Sequence, residues 1–231
     1  SDPSYPSDIS SKISVASCQT GGSCEHTSFV RGFDSSSWTH IVVTVKESLG
    51  DTSIAVYKNG VLVSINVIEG GQWEPDVTSR SQHWLGRPSW STGDSDWGYF
   101  DGTIAYFKMW HGVELQQSDV TDLYAPHNTA HHFWDFRGCT NNSPVTDSIA
   151  KDLVATPMDG PTCSSSGIVL DGTDDYVDIE DWKWGGATSI EVYVKYDSFN
   201  SGSRVFDFGD GAHMNNVFLY NDGTTSTIRW S

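Results

Sequence analysis

Apolar and polar residues alternate along several short segments of the chain. Between residues 189 and 196, Ile190, Val192 and Val194 alternate with Glu191 and Lys195. Side chains of a β-strand point alternately to its two faces, so this pattern predicts a strand with one buried face and one wetter face. Other segments rich in β-branched or aromatic residues predict further strands. Together the predicted strands cover residues 41–46, 53–58, 61–67, 103–109, 176–180, 189–196, 204–208 and 217–220.

Turn residues separate these segments. Asn59 and Gly60 form the two-residue signal of a tight hairpin, and Asp-Gly pairs mark further turns. The one helix candidate covers residues 114–124, which is too short to organise a fold. Many short strands joined by turns predict an all-β fold, and we expect a two-sheet antiparallel jelly-roll sandwich.

The composition limits the partners of this chain. Its 231 residues include 30 acidic and 13 basic side chains, which give a formal net charge of −17. Such acidity argues against binding to nucleic acid or anionic lipid through bulk charge. No apolar run approaches the ~20 residues that a membrane-spanning helix needs, so we expect no membrane insertion.

Four cysteines form two pairs along the sequence, Cys18 with Cys24 and Cys139 with Cys163. Their spacings match neither a redox dithiol nor a zinc finger. Short loop closure favours a disulfide within each pair, although four cysteines allow three connectivities and buried free thiols are the alternative. Disulfides predict an extracellular or cell-surface location. Asn141 begins an Asn-Asn-Ser acceptor for glycosylation.

Several segments resemble the laminin G-like, concanavalin A-like family of jelly-roll domains. Residues 171–179, D-G-T-D-D-Y-V-D-I, resemble an early strand of that family, and residues 37–45, S-W-T-H-I-V-V-T-V, resemble a central strand. Residues 85–87 and 99–104 are similar to the closing strands, and residues 113–115 with the short helix are similar to the exit from the domain. The resemblance implies the jelly-roll fold and, because many family members bind calcium, a calcium site.

The order of these segments is inverted relative to the family. Segments typical of its late part occupy residues 1–125, and those of its early part occupy residues 131–231, with a linker at residues 126–130. This order predicts the C-terminal part of one repeat followed by the N-terminal part of the next, as in a tandem array. The alternative is one permuted domain, because the two parts together supply the strands of one jelly roll. No signal peptide is visible at the beginning, so we expect that a secreted chain of this kind was cut from a longer protein.

One loop contains the candidate binding residues. Asp94, Asp96 and Asp101 lie in a segment rich in Gly, Ser and Asp, and their carboxylates are predicted to bind Ca²⁺, with a solvated turn as the alternative. Trp90 and Trp97 in the same loop predict a carbohydrate-binding surface, because aromatic faces stack on sugar rings. Packing in the core is the alternative for both tryptophans. Ca²⁺ is the one cofactor that the sequence suggests.

The sequence lacks catalytic patterns. The E-x-D-x-x-E pattern of jelly-roll glycosidases does not occur, and Asp174, Asp178 and Glu180 are expected to line a solvated strand face. His131 and His132 would point to opposite faces of a strand, so they do not predict a shared metal site. We therefore expect that this chain is not an enzyme.

The sequence thus predicts a non-enzymatic extracellular structural or adhesive module, repeated in a secreted cell-surface, matrix or filamentous appendage protein. The alternative is a carbohydrate-binding, lectin-like module with calcium as a candidate ligand. The expected partners are neighbouring copies of the same repeat, other extracellular proteins, or glycans.

Overall fold

The structure is a computed structural model of the 231-residue chain. It describes residues 16–18, 24–26, 29–30, 33–35, 37–69, 74–89, 98–122, 130–211, 215–221 and 228–230. Strands predominate among the described residues, and the one helix there has six residues, so the predicted all-β class is confirmed. No helix in the described ranges is long and apolar enough to cross a membrane.

In the described part of the chain, the secondary structure consists of strands of two to 11 residues and one short helix. The elements before residue 125 are β1 (Ala16–Cys18), β2 (Cys24–His26), β3 (Phe29–Val30), β4 (Trp38–Ser48), β5 (Asp51–Lys58), β6 (Val61–Ile68), β7 (Thr78–Ser79), β8 (Gln82–Leu85), β9 (Asp101–His111) and α1 (Gln117–Asp122). Those after residue 130 are β10 (His132–Asp135), β11 (Val145–Thr146), β12 (Val154–Met158), β13 (Thr162–Ser164), β14 (Gly167–Asp171), β15 (Tyr176–Ile179), β16 (Lys183–Trp184), β17 (Thr188–Tyr196), β18 (Arg204–Gly209), β19 (Val217–Asn221) and β20 (Ile228–Trp230).

Two large antiparallel sheets pack as a sandwich, which confirms the predicted jelly-roll class. Sheet A has ten strands in the order β11-β12-β15-β8-β18-β19-β1-β2, and β20 pairs with both β19 and β3. Sheet B has eight strands in the order β13-β14-β9-β17-β4-β5-β6, and β10 pairs with β9. A small third sheet pairs β7 with β16.

The two parts of the chain complement each other within these sheets. β17, from the second part, lies between β4 and β9 of the first part, and Val192 is paired with Ile41 on one side and Phe107 on the other. In sheet A, β8 likewise lies between β15 and β18. Of the predicted linker at residues 126–130, only Ala130 belongs to the described residues. The origin of the two parts in neighbouring repeats stays a prediction.

The apolar inner faces of the two sheets form one core. Ile190, Val192 and Val194 of β17 are at most 1% exposed, as the alternation along this segment predicts. They belong to the same buried cluster as Phe206 and Phe208 of β18 in sheet A. Burial of one such side chain stabilises the fold by about 1.5–3 kcal/mol, so a shift in register that exposed this face would be costly.

The helix α1 packs on the outer face of sheet B. Its Val120 is fully buried in a second cluster with Val42, Tyr57 and Trp110. The helix is shorter than the predicted segment at residues 114–124. It covers only part of the outer face, and the remainder carries the aromatic side chains described below.

Candidate functional site

Carboxylates gather at one end of the sandwich, where β14 ends and β9 begins. Asp171 at the end of β14 is paired with Asp101 at the beginning of β9. The chain then turns at Gly172, whose φ of 73° lies in the left-handed region that favours glycine. A Cβ atom on Gly172 would lie 2.6 Å from the Cβ of Asp101, so the close packing of this turn also requires glycine. We call Asp101, Asp171, Asp174 and Asp175 the acidic rim.

Three carboxylates of the acidic rim converge. One carboxylate oxygen each from Asp171, Asp174 and Asp175 lies within 4.8 Å of the other two. Backbone hydrogen bonds hold the turn: the N–H of Asp171 donates to Asp175 Oδ2 at 3.2 Å, and the N–H of Thr173 donates to Asp171 Oδ1 at 2.8 Å. Asp175 is 6% exposed, whereas Asp171 and Asp174 are open to solvent.

The converging carboxylates repel one another. Within the described part of the chain, no ion pair joins them to a lysine or arginine. Burial raises the pKa of Asp175, and the charges of Asp171, Asp174 and Asp159 raise it further, although the N–H of Asp171 opposes this. Negative charge therefore accumulates at these three carboxylates. Clustered carboxylate oxygens of this kind fit the preference of Ca²⁺ for hard oxygen ligands.

Asp101 lies beside the three converging carboxylates and helps to hold the adjoining loops. The hydroxyl of Ser198 donates a hydrogen bond to Asp101 Oδ2, and the N–H of Asp197 donates to the Asp101 carbonyl at 3.0 Å. The Nδ2 of Asn200 donates to the carbonyl of Gly172 at 3.1 Å and connects the same loops. The structure thus places Asp101, which the sequence predicts as a Ca²⁺ ligand, next to the other carboxylates of the acidic rim.

The other predicted binding residues of this loop are Asp94, Asp96, Trp90 and Trp97. All four lie outside the described residues, so their roles stay predictions. Gly98, which follows this segment in the sequence, donates its N–H to the carbonyl of Ser201 at 2.7 Å.

The structure corrects the interpretation of residues 174–180 as a single strand face. β15 begins only at Tyr176, so Asp174 lies in the preceding turn, and Glu180 follows the end of the strand. The prediction was wrong because Asp174 fits the alternating pattern of the strand that follows, although it belongs to the turn between β14 and β15. Only Asp178 of the three acidic residues is in β15. The sequence signal for the turn was Asp171-Gly172, which is a common turn pair.

An arginine and three aromatic residues adjoin the acidic rim. The guanidinium carbon of Arg87 lies 4.3 Å from the ring centre of Trp84 and 4.5 Å from that of Tyr176. Burial raises the pKa of Tyr99, and the nearby charge of Arg87 opposes this shift. Ring faces combined with a guanidinium donor are the kinds of side chain that bind sugars through stacking and hydrogen bonds.

A second group of aromatic residues lies on the outer face of sheet B. Trp38 of β4 stacks on Tyr193 of β17 with ring centres 4.9 Å apart, and Tyr193 stacks on Tyr106 of β9 at 5.7 Å. Phe133 of β10 contacts Tyr106 edge to face at 6.0 Å. We call these four residues the aromatic row. Because neighbouring rings cover each other, much of this aromatic surface serves packing within the sheet face.

Glu191 lies fully buried next to the aromatic row. Its Oε1 accepts a hydrogen bond from the Tyr106 hydroxyl at 2.8 Å and lies 3.0 Å from His40 Nε2. Its Oε2 lies 3.1 Å from the Nζ of Lys108, which is itself 9% exposed. We call these four side chains the Glu191 cluster.

The Glu191 cluster balances its own charge. Burial alone raises the pKa of Glu191, but the hydrogen bond with His40, the charge of Lys108 and the Tyr106 hydroxyl outweigh it and leave the pKa below its usual value. Burial, and then the charge of Glu191, raise the pKa of Tyr106. The alternation along β17 predicts that Glu191 and Tyr193 share a face. The partners of Glu191, however, are Lys108 and His40, which lie 83 and 151 residues away in the sequence, so the local pattern does not predict them.

A third group of titratable residues surrounds His132. Its Nδ1 lies 2.7 Å from Asp147 Oδ2, and Asp152 is close enough to join them around an ion. However, Asp147 Oδ1 already accepts the N–H groups of Phe133 at 3.0 Å and Ile149 at 2.9 Å. These contacts assign Asp147 to the anchoring of its loop.

The structure contains a disulfide between Cys139 and Cys163, with the Cα atoms 5.4 Å apart. Asn141 is exposed, and its Oδ1 accepts the N–H of Cys163 at 2.6 Å, so glycosylation at Asn141 stays a prediction. Cys18 and Cys24 are directly paired residues of β1 and β2. Their side chains lie outside the described part, and the bond between them stays a prediction.

The two packed antiparallel sheets define a jelly-roll module. Comparison with family models matches residues 8–121 to the family described as the concanavalin A-like lectin/glucanases superfamily. The resemblance seen in the sequence is thus confirmed as a match of residues 8–121 to that laminin G-like family model. Comparison with curated proteins and with solved structures gives no match.

Proposed function

We propose that this chain is a non-enzymatic, calcium-dependent adhesive module of an extracellular protein, and that it binds glycans at the acidic rim. The family match over residues 8–121 fits a lectin-like or adhesive module in general. The observation that carries the finer proposal is the convergence of Asp171, Asp174 and Asp175, with no basic side chain paired to them in the described ranges.

Three residues of the acidic rim, Asp171, Asp174 and Asp175, would hold the Ca²⁺ ion. Asp171 and Asp175 are fixed by backbone hydrogen bonds, and Asp174 adds a third carboxylate on the exposed side. Bound Ca²⁺ supplies positive charge and coordination positions that further oxygen atoms, including sugar hydroxyls, are able to fill. Burial is the largest cause of the raised pKa of Asp175, and the ion would relieve the repulsion from Asp171 and Asp174 that raises it further.

The neighbouring side chains supply the other elements of glycan recognition. Trp84 is half-buried and offers part of its ring surface, and Arg87 lies over that ring. A sugar that contacts the ion would also reach an aromatic surface and a guanidinium donor. Small-molecule sites commonly combine aromatic surface with a few polar groups in this way.

A non-catalytic role is supported by the burial and the contacts of the Glu191 carboxylate. A general acid or base must touch its substrate. Glu191 is fully buried and already bound by Tyr106, His40 and Lys108. The acidic rim, by contrast, is a set of converging acids suited to binding a cation.

An extracellular location is supported by the disulfide between Cys139 and Cys163, because such bonds persist in oxidising compartments. Laminin G-like domains with a disulfide are typical of extracellular proteins. A role as one repeat of a surface, matrix or appendage protein would fit this location.

A glycan array in the presence of Ca²⁺, Mg²⁺ or chelator tests the proposed function. We expect glycan binding in Ca²⁺ that chelator abolishes and Mg²⁺ at matched ionic strength does not restore. Asp174→Asn should lose this binding, because it removes one exposed carboxylate while keeping the shape of the side chain. Asp122→Asn, the same charge change at the exposed end of α1, is the matched control and should bind as the wild type does.

The outcome that contradicts the proposal is equally specific. Glycan binding that persists in chelator and in Asp174→Asn would move the glycan site away from the acidic rim. Reproducible turnover of a polysaccharide, abolished by one carboxylate substitution, would contradict the non-enzymatic role.

The two tryptophans predicted from the sequence extend the same test. Trp97→Ala and Trp90→Ala should weaken the glycan signal while leaving calcium binding unchanged, because they remove ring surface and no carboxylate. Unchanged affinity for every glycan detected would show that these tryptophans are not part of the binding surface.

A further inference from the structure

A buried histidine lies far from the acidic rim, near the other end of β9. β9 begins at Asp101 in the rim, and its pairing with β10 places His132 opposite Met109. The strand rises about 27 Å between Asp101 and Met109. His132 is 6% exposed, and its ring stacks on that of Trp134 with the ring centres 5.6 Å apart. Packing against the core therefore fixes the orientation of this imidazole.

A tight loop presents two carboxylates to the imidazole. The N–H of Asp147 closes the loop by donating to the carbonyl of Leu153 at 2.9 Å. The loop is fastened to β10, because the N–H of Ser148 donates to the carbonyl of Phe133 at 2.7 Å and the N–H of Phe133 donates to Asp147 Oδ1 at 3.0 Å. Asp147 is 1% exposed, whereas Asp152 is open to solvent. These bonds hold the carboxylate of Asp147 against β10.

His132, Asp147 and Asp152 form a compact set of donor atoms. Nδ1 of His132 lies 2.7 Å from Asp147 Oδ2. One ligand atom from each of the three residues lies within 4.8 Å of the other two. In the described part of the chain, no lysine or arginine forms an ion pair with either carboxylate. The set thus combines imidazole nitrogen with carboxylate oxygen, whereas the acidic rim offers oxygen alone.

Two indole N–H groups close to His132 lack an acceptor. Nε1 of Trp134 and Nε1 of Trp182 are buried, and neither has a hydrogen-bond partner among the described residues. The ring centre of Trp182 lies 5.6 Å from that of His132. A buried N–H without an acceptor lowers the stability of the fold. An oxygen ligand that completes the coordination of an ion would bring an acceptor close to these rings.

We propose that His132, Asp147 and Asp152 bind Zn²⁺, with a water molecule as the fourth ligand. Histidine nitrogen and carboxylate oxygen are both common zinc ligands, and three protein ligands with one water form a known type of zinc site. Ca²⁺ binds through oxygen atoms, so the imidazole favours zinc here. The proposal goes beyond the calcium and glycan binding proposed for the acidic rim, and it does not depend on them.

The existing contacts accommodate the ion with a small movement. Two ligands of a tetrahedral zinc ion lie about 3.3 Å apart, so His132 Nδ1 and Asp147 Oδ2 need to separate by roughly 0.6 Å. Asp147 Oδ1 keeps the N–H groups of Phe133 and Ile149, at 3.0 and 2.9 Å. Hydrogen bonds of this kind orient a ligating carboxylate.

Calorimetric titration with zinc chloride tests the proposal on a chain that carries no histidine tag. We expect saturable binding of one Zn²⁺, which equal Ca²⁺ does not displace. Asp152→Asn should weaken zinc binding about tenfold or more, and it should melt with the wild type because its side chain is exposed. Asp181→Asn is the matched control, because Asp181 is an exposed acid beside Trp182 and outside the donor set.

The same titration has outcomes that overturn the proposal. Absence of saturable zinc binding to the wild type, or equal affinity in Asp152→Asn, would do so. Asp174→Asn, which alters the acidic rim, should bind zinc as the wild type does. Failure of the zinc site and failure of the rim are therefore distinguishable.

A neighbouring pair of histidines is the rival zinc site. The ring centres of His111 and His131 lie 4.5 Å apart, but Nδ1 of His131 already accepts the N–H of His111 at 3.2 Å. His111→Gln and His131→Gln should therefore keep the zinc affinity of the wild type. Loss of binding in these variants, with full binding in Asp152→Asn, would move the ion to the histidine pair and overturn the assignment.

Nuclear magnetic resonance of the ring nitrogens tests the ligand atom. Zinc replaces the proton that His132 Nδ1 donates to Asp147, so Zn²⁺ should shift the Nδ1 resonance of His132 in the chain labelled with ¹⁵N-histidine. Lower pH should weaken the binding, because protons compete for the ligand atoms. Ring resonances of His132 that stay unchanged at saturating Zn²⁺ would overturn the proposal.

Discussion

The Glu191 cluster and the acidic rim both contain ionisable carboxyl groups, but the two sites differ in how the negative charge is balanced. Glu191 is fully buried and contacts His40, Tyr106 and Lys108, and its pKa lies below the usual value. At the rim, burial and neighbouring carboxylates raise the pKa of Asp175. The first group is complete within the chain and is therefore structural. The second forms no ion pair among the described residues, although Arg87 lies nearby, and we infer that its counter-charge comes from solution.

The largest effect is expected from Glu191→Gln. The substitution keeps the size of the side chain but leaves the charge of Lys108 buried without its carboxylate, which should lower the free energy of unfolding by about 3–5 kcal/mol. Urea denaturation measures this loss. Glu114→Gln is the control, because its ion pair with Lys46 is exposed and should contribute less than about 1 kcal/mol. Equal effects of the two substitutions would contradict a structural role for the Glu191 cluster.

Calcium should stabilise the rim by a smaller amount. At ten times its dissociation constant, a ligand that binds only the folded state adds about 1.4 kcal/mol, which for a chain of this size raises the melting temperature by about 3–6 °C. Chelator should reverse the increase, and Mg²⁺ at equal ionic strength should not reproduce it. The Glu191→Gln variant should show the same calcium increment, because its defect lies in the other group. A shift that any salt reproduces would point to general screening.

The pH dependence of stability should have opposite signs in the two groups. The lowered pKa of Glu191 means that its contribution is present above the usual glutamate pKa and is lost as the pH falls through the lowered value. The raised pKa of Asp175 means that its ionised form opposes folding at pH 7, and acidification below the usual aspartate pKa removes that penalty. In chelator, Asp175→Asn should raise the melting temperature at pH 7 and have no such effect at pH 3. Glu191→Gln should lower the melting temperature at pH 7, and should lower it by less at pH 3.

The smallest effect is expected from salt. In chelator, added sodium chloride should slightly raise the melting temperature of the wild type, because it screens repulsion among the exposed rim carboxylates. The increase should be smaller in Asp174→Asn, which has one fewer charge in the group. An identical salt response in both proteins would show that Asp174 contributes little to the repulsion.

The sequence predicted the sheets better than it predicted either group of acidic residues. Alternation at residues 189–196 gave the faces of β17, because a period of two depends only on the strand itself. The partners of Glu191 depend on which strands lie beside β17, and tertiary structure decides that. At the acidic rim, residues 171–179 resemble a family signature. The turn between β14 and β15 lies within this segment, so Asp174 belongs to the turn and not to a strand face.

Calorimetric titration with Ca²⁺ of the wild type, Asp174→Asn and Asp122→Asn tests the central claim most directly, namely that the acidic rim takes its counter-charge from solution. The account predicts saturable binding to the wild type and to Asp122→Asn, with a dissociation constant of about 10⁻⁴–10⁻³ M as in extracellular calcium modules. Asp174→Asn should bind at least tenfold more weakly. Absence of calcium binding to the wild type, or equal binding to all three proteins, would contradict it.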